Sequence, residues 1–363
     1  MPLNLALGNL VDFPADALVN AANNRLEEGG GVCGAIFHGA GRDAMRQACQ
    51  ALAPCETGQA VITPAFKLPA KYVIHAVGPV YHDGKQGEEA LLRSAYTNAL
   101  RLARENKLQT ITFPLISSGV YGYPREDALR VAVSSIQDFL LQDEEDLDVT
   151  LVLYSRQNLF LDPALKEKLD TALRMAPDAG APEYGRRRPD QYRSEDQQMP
   201  YRVYELKAKK APERPDLQRK SKTAPPGVGA PRNEPIGFQM PASLEQRILA
   251  LDEGFSATLL KLVDLKGMKD ADVYKAANLD RRHFSKIRSN PAYAPQKQTV
   301  LALAIALKLN RQETEGLLAR AGYALSGSQI GDVIIGCFID EKRYDINLIN
   351  ISLLYYDQKT LGT

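Results

Sequence analysis

The strongest constraint on the fold is a regular alternation of two hydrophobic patterns over residues 3–174. Short apolar runs typical of buried strands alternate with stretches whose apolar residues recur every three to four positions, as in amphipathic helices. The strand-like runs are LNLAL, ALVNA, QAVITPAF, YVIHAVG, TITFPLI and VTLVLYS. The helix-like stretches are GAIFHGAGRDAMRQACQAL, EEALLRSAYTNALRLAREN and REDALRVAVSSIQDFLLQD. Elements that alternate in this way predict an α/β layered domain over residues 1–175.

The composition changes after residue 175. Eleven of the 22 prolines lie between Pro177 and Pro241, together with the basic sequence GRRRP. The net charge is −5 over residues 1–175 and +4 over residues 176–241. Proline-rich, charged composition is typical of extended linkers, which bury too little apolar surface to fold. We therefore predict a basic linker over residues 176–242, in which only YRVYEL has a strand-like pattern.

The remainder of the chain has helix patterns and no strand pattern. These patterns are SLEQRILALDE, SATLLKLVDLKG, KDADVYKAAN, DRRHFSKIRSN, KQTVLALAIALKL and NRQETEGLLARAG, followed by an apolar tail. They predict a second, all-helical domain over residues 243–363.

Bulk composition excludes several classes of protein. A hydrophobic fraction of 44% with 25% charged residues is ordinary for a soluble globular chain. No apolar run approaches the roughly 18 residues that a membrane span needs, and MPLNLALGNLVDF lacks the basic start of a signal peptide. The four cysteines form no CxxC pair and have no histidine at metal-ligand spacing. We expect a cytoplasmic protein with no metal, no cofactor and no membrane partner.

The sequence NAANNRLEEGGGVCGAIFHGAG, from Asn20 to Gly41, follows a strand pattern with three glycines and then a helix pattern. Unpaired backbone N–H groups and the positive end of a helix dipole attract anions, and glycine has no Cβ to keep an anion away. This stretch is therefore a candidate phosphate cradle. A glycine triplet alone is equally compatible with a plain tight turn.

A second loop favours the phosphate interpretation. The sequence FPLISSGVYGYP, at the end of another strand pattern, has Ser118, Gly119 and Gly122 ahead of a helix that begins near Arg125. Two amide-rich loops at strand ends fit a diphosphate held from both sides, in the crevice that open α/β sheets use for ligands. The chain has neither GxGxxG nor GxxxxGK[ST], so a dinucleotide-binding Rossmann unit and a P-loop are not indicated.

The two loops, with GNLVDFPADALV before the first and GQAVITPAFKLPAKYVIHAVGPVY between them, closely resemble the macrodomain family. The resemblance is closest to its bacterial O-acetyl-ADP-ribose deacetylase branch, and it covers residues 3–175 in order. It implies a three-layer α/β/α domain that binds ADP-ribose or an ADP-ribosylated protein.

The resemblance also implies which residues contact the ligand. Asn23 corresponds to the residue at the distal ribose, and Gly30 to Val32 correspond to the first diphosphate loop. Asn20 corresponds to a second asparagine, whose side chain either contacts the ligand or ties down the loop backbone. The full set of expected ligand-binding residues is Asn9, Leu10, Asn20, Asn23, Gly30, Gly31, Val32, Ser118, Gly119, Val120, Tyr121, Gly122 and Tyr123.

Three positions depart from the family pattern. Asn9 replaces the usual aspartate that accepts a hydrogen bond from adenine, although an amide oxygen can still accept one. Cys33 stands in place of an aspartate near the distal ribose, and Phe37 stands in place of a common histidine, with His38 next to it. The expected general base is therefore missing. The resemblance to other macrodomain branches with a small residue at this position implies hydrolysis by a water held by the ligand's own phosphate, with proximity contributing much of the rate.

Asn23 and Cys33 are the candidate catalytic residues. Asn23 would orient the ribose. A thiol beside a helix N-terminus and an anion site could act as a nucleophile or redox switch, or Cys33 could simply fill the space of the aspartate. We interpret His75, in an apolar strand pattern, as a hydrogen-bonded core histidine.

In the C-terminal half, KDADVYKAANLDRRHFSKIRSN resembles a helix-turn-helix of the Cro/repressor type, within a similarity of about 60 residues. The first helix would end near Ala277, the turn would span residues 278–280, and Phe284 and Ile287 of the second helix would point inward. The candidate DNA contacts are Arg281, Arg282, Lys286 and Arg288. A helical module that binds a protein partner explains the same pattern.

Three functions are compatible with the whole sequence. The leading hypothesis is an enzyme that removes acyl or protein-linked esters from the distal ribose of ADP-ribose. The second is a reader that binds ADP-ribose or ADP-ribosylated partners with little turnover. The third is a DNA-binding regulator that uses ADP-ribose as its effector.

Overall fold

The computed structural model describes residues 2–142, 147–156, 159–176 and 253–362. The predicted linker, including GRRRP and YRVYEL, lies outside the described residues, as does nearly all of SLEQRILALDE.

The N-terminal half contains one six-stranded mixed sheet. Its strands are β1 (Leu3–Leu7), β2 (Ala17–Ala22), β3 (Ala60–Pro64), β4 (Tyr72–Val77), β5 (Thr110–Pro114) and β6 (Asp148–Leu153). Their order in space is β1-β6-β5-β2-β4-β3, with β3 antiparallel to β4 and every other neighbouring pair parallel. Each strand lies within or next to one of the six strand-like runs, so the sequence pattern predicted them correctly.

Helices cover both faces of this sheet. They are α1 (Gly31–Ala40), α2 (Arg42–Gln50), α3 (Glu88–Glu105), α4 (Arg125–Gln142) and α5 (Pro163–Met175). Successive residues of a strand point to opposite faces. Accordingly, Leu18 packs in one hydrophobic cluster with Phe37 of α1, whereas Val19 packs in the other with Tyr96 of α3. This arrangement confirms the predicted three-layer α/β/α fold.

One helix pattern is interrupted. The stretch GAIFHGAGRDAMRQACQAL forms two helices, α1 and α2, because Gly41 between them adopts a φ of +95°. A residue with this φ cannot continue a right-handed helix, and glycine adopts it without a steric penalty.

The described C-terminal half is helical, as predicted. Its helices are α6 (Phe255–Leu265), α7 (Asp270–Ala276), α8 (Arg281–Ser289), α9 (Lys297–Ala306), α10 (Arg311–Arg320), α11 (Ile330–Asp340) and α12 (Ile346–Tyr355). Phe284 and Ile287 of α8 are buried at 2% and 0% exposure, so they point inward as the sequence predicts. In the part of the chain that the structure describes, no helix has the length and apolarity that a membrane span requires.

The two halves share one hydrophobic core. The described residues on both sides of the linker belong to one compact unit, and one buried cluster contains residues of β1 and α3 together with residues of α9 and α12. Asn278, in the turn before α8, joins the halves directly. Its Oδ1 accepts from the N–H of Leu3 at 2.6 Å, and its Nδ2 donates to the C=O of Leu3 at 2.9 Å. Asn278 thereby satisfies backbone groups on the outer edge of β1, where no further strand among the described residues pairs with it.

Polar contacts between α5 and the C-terminal half add to this junction. The hydroxyl of Tyr356 donates to Asp170 of α5 at 2.6 Å, and Lys168 of α5 pairs with Glu341 at 2.8 Å. The C-terminal helices therefore extend the core of the sheet instead of forming a body with a separate core.

Candidate functional site

A cleft opens at the carboxyl ends of the central strands β2, β4 and β5. It has a volume of about 310 Å³. The lining residues, which define what we call the glycine cleft, are Ala21, Ala22, Asn23, Gly29, Gly30, Gly31, Val32, Cys33, Gly78, Pro114, Leu115, Ile116, Ser117, Val120 and Tyr121. No charged side chain is among them. From β4, on one side of β2, the chain crosses through α3 to β5 on the other side. Open α/β sheets bind ligands at such a change of strand order.

The first wall is the loop that leads into α1. Gly30 is the N-cap of α1 and no side chain caps this end of the helix, so backbone N–H groups of the first turn are available to a ligand. A Cβ at Gly30 or Gly31 would have nothing within 4 Å. Gly31 needs glycine for a different reason, because its φ is +59°. The wall is thus made of bare backbone.

The second wall is the loop that follows β5. Its turns are closed by backbone hydrogen bonds from Tyr123 N to Ser117 O and from Gly122 N to Gly119 O, both at 3.0 Å. Tyr81 N donates to Tyr121 O at 2.8 Å, which ties the loop to the segment after β4. Burial raises the pKa of the half-buried Tyr121 hydroxyl, with a further contribution from Cys33, so this phenol remains protonated near neutral pH.

Gly78 and Ser117 bring the two strand ends close together. A Cβ at Gly78 would lie 2.3 Å from Ser117 Oγ and 2.5 Å from Ile116 Cγ2, so only glycine fits there. Ser117 has a φ of +64°, is 6% exposed, and its Oγ has no hydrogen-bond partner within the described residues. Ser117, in the lining of the cleft, therefore contains a buried hydroxyl that no described residue satisfies.

Asn23 shapes the first loop by hydrogen bonds to its own backbone. Its Oδ1 accepts from the N–H groups of Arg25 and Glu27 at 3.1 Å, and its Nδ2 donates to the C=O of Glu27 at 2.8 Å. Asn23 lines the cleft, while this Asx-type bonding occupies its amide. The sequence suggested Asn20 as a residue that could tie down the loop backbone. In the structure Asn23 makes those hydrogen bonds.

Asn20 is 1% exposed and lies behind the cleft wall. Its Nδ2 lies 3.1 Å from His75 Nδ1 and 3.6 Å from Cys33 Sγ. Because an amide nitrogen only donates, His75 Nδ1 accepts and Nε2 carries the proton toward Thr63 Oγ1 at 2.9 Å. Burial lowers the pKa of His75 to about 4, so the ring is neutral. His75 is a core histidine, as predicted.

Cys33 lies at the boundary between the cleft and this buried network. It is 5% exposed, accepts from Gly29 N at 3.4 Å, and its thiol lies 3.7 Å from Glu27 O. Phe37 is fully buried in the core, and the neighbouring His38 is exposed on the outer side of α1. Among the lining residues of the cleft, no carboxylate or imidazole replaces the missing general base.

The remaining predicted ligand residues lie outside the lining of the cleft. Asn9 is the N-cap of a short 3-10 helix that begins at the buried Leu10. Ser118 Oγ donates to Leu115 O at 2.8 Å, and the ring of Tyr123 packs on Tyr81 with centroids 4.9 Å apart. The structure brings together seven of the predicted site residues in the lining: Asn23, Gly30, Gly31, Val32, Cys33, Val120 and Tyr121.

The sequence analysis missed the strand ends themselves. Ala21 and Ala22 end β2, Gly78 follows β4, Pro114 ends β5, and residues 115–117 follow it. A small residue at the end of a buried parallel strand is the signal that could have identified them, since a large side chain there would fill the ligand crevice.

The basic residues of α8 lie at a second cavity. Arg281, Arg282 and Lys286 line a crevice of about 830 Å³ whose opposite wall is Lys107, Leu108, Gln109 and Asp148 of the sheet domain. With Asp280, His283 and Tyr293 these residues define what we call the basic crevice. Arg288, the fourth predicted DNA contact, instead pairs with Asp270 of α7. No group of three or more metal-ligating side chains occurs among the residues that the structure describes.

The fold and the glycine cleft together define a three-layer α/β/α domain with an uncharged cleft at the carboxyl ends of its central strands. The family model described as Macro domain matches residues 19–132. A macro domain-containing protein of Methanosarcina mazei is 49% identical over 151 residues, which is 42% of this chain and 80% of the relative. The chain therefore belongs to the macrodomain family.

Other relatives carry more specific names. An O-acetyl-ADP-ribose deacetylase of Salmonella typhimurium is 46% identical over 159 residues, covering 43% of this chain and 88% of that protein. A solved structure of an Oceanobacillus iheyensis macrodomain mutant with ADPR is 39% identical, with a TM-score of 0.41, and covers 43% of this chain and 87% of that one.

Proposed function

We propose that this protein binds ADP-ribose in the glycine cleft and hydrolyses ADP-ribosyl esters, with O-acetyl-ADP-ribose or a mono-ADP-ribosylated protein as substrate. The observation that carries the proposal is a cleft walled by two amide-rich loops and lined by no charged side chain. Such a cleft recognises a diphosphate by shape and backbone N–H groups, without Lys, Arg or a metal ion.

The position of the two walls supports ADP-ribose in particular. Gly30 and Gly31 form one wall, and Val120 and Tyr121 form the other, so a diphosphate between them would contact both. The distal ribose would then lie toward Asn23 and Cys33, where the ester bond to be cleaved is attached. Free N–H groups on both sides also account for the glycines that a simple turn does not need.

The reaction would use water directly. The water oxygen attacks the ester carbonyl, the bond from the acyl carbon to the ribose oxygen breaks, and the ribose oxygen takes up a proton. The products are ADP-ribose and the free carboxylic acid. Since no lining side chain can act as a base, the attacking water would transfer its proton to a phosphate oxygen of the ligand, and the protein would contribute proximity and orientation.

A second function, an ADP-ribose reader with little turnover, is favoured by one specific observation. Cys33, at the position of the usual aspartate, already has its sulfur engaged by Asn20, Gly29 and Glu27. With only 5% of its surface exposed, this thiol has little access to a bound ester. In the reader, the same contacts would recognise ADP-ribose and the ester would persist.

Two measurements on the full chain separate these functions. Titration calorimetry should show ADP-ribose binding, and AMP should bind much more weakly because it lacks the second phosphate and the distal ribose. Release of acid from O-acetyl-ADP-ribose, followed with time, then distinguishes enzyme from reader. Absence of ADP-ribose binding by folded protein contradicts both; binding without turnover leaves only the reader.

A further inference from the structure

The basic crevice has no part in the proposed chemistry, because it opens at the other end of the sheet. Lys107 and Gln109 precede β5 and Asp148 begins β6, so they lie at the amino ends of these strands, whereas the carboxyl end of β5 lines the glycine cleft. The facing wall is the first half of α8. The crevice is thus built from both halves of the chain, a common location for binding sites.

The lining of the crevice carries a net positive charge, with four cationic side chains and two carboxylates. Lys107, Arg281, Arg282 and Lys286 are all exposed, and none of these four forms an ion pair with any residue that the structure describes. Of the two carboxylates in the lining, Asp280 is engaged as the N-cap of α8, where it accepts from His283 N at 2.6 Å. The four cations outnumber the two carboxylates of the lining, so the crevice attracts an anionic ligand.

Flat side chains accompany these cations. His283 Nε2 and the hydroxyl of Tyr293 are 2.8 Å apart, and their ring centroids are 6.0 Å apart, so the two half-buried rings hold each other in place. Fixed rings beside a line of cations are the combination that proteins use to bind a single nucleic-acid strand, with bases stacked on rings and phosphates on Lys and Arg.

We propose that the basic crevice binds a single strand of nucleic acid through its phosphates. The facing wall argues against the duplex contact that the helix-turn-helix resemblance implies. A helix that reads the major groove must be open on its DNA side, because the groove, about 12 Å wide, closes around it. Here the side of α8 that carries Arg281, Arg282 and Lys286 faces Lys107 and Gln109 across the cavity.

The test measures fluorescence anisotropy of a labelled, mixed-sequence single-stranded oligonucleotide with the full chain, beside the same sequence as a duplex. The single strand should bind more tightly, with an affinity that falls with salt by about 0.7 log units per log unit for each phosphate contacted. Arg281→Ala with Arg282→Ala should flatten that slope by up to about 1.4.

A change on the opposite wall decides whether the whole crevice is used. Lys107→Asn removes one charge, and asparagine tolerates the left-handed φ of +54° at this position. It should weaken strand binding by several-fold and flatten the slope by about 0.7. The matched control is Lys266→Ala with Lys359→Ala, which removes two exposed charges outside the crevice and should leave affinity unchanged.

Three results would overturn the proposal. Tighter binding of the duplex than of the single strand would assign α8 to a groove. Normal binding by Lys107→Asn, with loss in the α8 double variant, would show that the helix acts without the facing wall. An equal loss of affinity in the control and the crevice variants would show that the strand binds by non-specific attraction to positive charge anywhere on the chain, including the basic linker. ADP-ribose calorimetry on each variant reports folding independently of these outcomes.

Discussion

The glycine cleft and the basic crevice differ in the residues that line them. The glycine cleft is lined by small, apolar and uncharged residues, and Ser117 Oγ is a buried atom of this lining without a hydrogen-bond partner among the described residues. The basic crevice is lined by long, exposed cationic side chains. The glycine cleft offers a ligand shape and backbone groups, whereas the basic crevice offers charged side chains.

This difference predicts different sensitivities. A backbone site tolerates no added side chain and depends little on salt, because its dipoles are fixed and partly shielded from solvent. A site of solvent-exposed charges tolerates most single changes, each with a modest effect, and depends strongly on salt. The experiments below use that contrast, starting with the largest expected effect.

The largest effect is expected at Gly30. Gly30→Glu should weaken the affinity for ADP-ribose by at least about 100-fold, because its carboxylate would occupy the phosphate site and repel the ligand. The variant should fold, since φ is −84° and a Cβ there meets nothing within 4 Å. Gly327→Glu, an equally unobstructed exposed glycine in the C-terminal half, is the matched control for calorimetry. Retained binding by Gly30→Glu would show that the ligand lies elsewhere.

The next effect concerns turnover at Cys33. Cys33→Asp should raise hydrolysis of O-acetyl-ADP-ribose by about 10- to 100-fold, the lower part of what a positioned acid–base group contributes. The N–H of Gly29 and the Nδ2 of Asn20 already point at this side chain and would hold a carboxylate. Cys33→Asn has the same shape without the charge and should show no gain. Equal rates in all three proteins would mean that the missing base does not limit the reaction.

A smaller effect is expected where the sheet domain meets the turn before α8. Asn278→Gly should lower the free energy of unfolding by about 1–3 kcal/mol, because the buried N–H and C=O of Leu3 lose their partner. Glycine accepts the φ of +55° at this position, so backbone strain does not contribute. Lys308→Gly, at a φ of +52° with an exposed side chain, is the control. Urea unfolding at pH 7 measures both variants, and equal stabilities would contradict the bridging role.

The smallest effect is a pH dependence of the free energy of unfolding, caused by the buried His75. The folded pKa of His75, about 4, lies below its usual 6.5, so the unfolded state binds the proton first. Stability should therefore be complete above pH 6.5 and should fall by up to about 1.4 kcal/mol per pH unit as the pH drops toward 4. Urea unfolding between pH 4.5 and 6.5 measures this slope.

Two comparisons assign that slope. His75→Gln should flatten it, whereas His38→Gln, at an exposed position of α1, should not. Hydrogen bonds from its own and neighbouring backbone N–H groups lower the pKa of Glu88 to about 2, so Glu88 loses its contribution only below pH 4.5. A slope that persists unchanged in His75→Gln would mean that other groups titrate in this window.

Local patterns predicted the elements of this fold well. The six strands follow from apolar runs because a strand buried on both faces needs apolar side chains at nearly every position. The end of α1 at Gly41 was not predicted, because hydrophobic periodicity reports side-chain faces and contains no information on the sign of φ. The candidate ligand residues were predicted where the loops carry glycine, and missed at Gly78 and Ser117, whose contact joins two strands distant in sequence.

The sequence by itself determined the layered α/β half, the helical half, the amide-rich loops and the membership of the macrodomain family, because each depends on residues close together in the chain. Only the tertiary structure decided that the two halves share a core. Asn278 and Leu3 are 275 positions apart, and the turn that carries this asparagine looks like any other turn in the sequence. The basic crevice arises in the same way. Lys107 is one of many exposed lysines until packing places it opposite α8, since the energy of an electrostatic site depends on distances in space that no local pattern records.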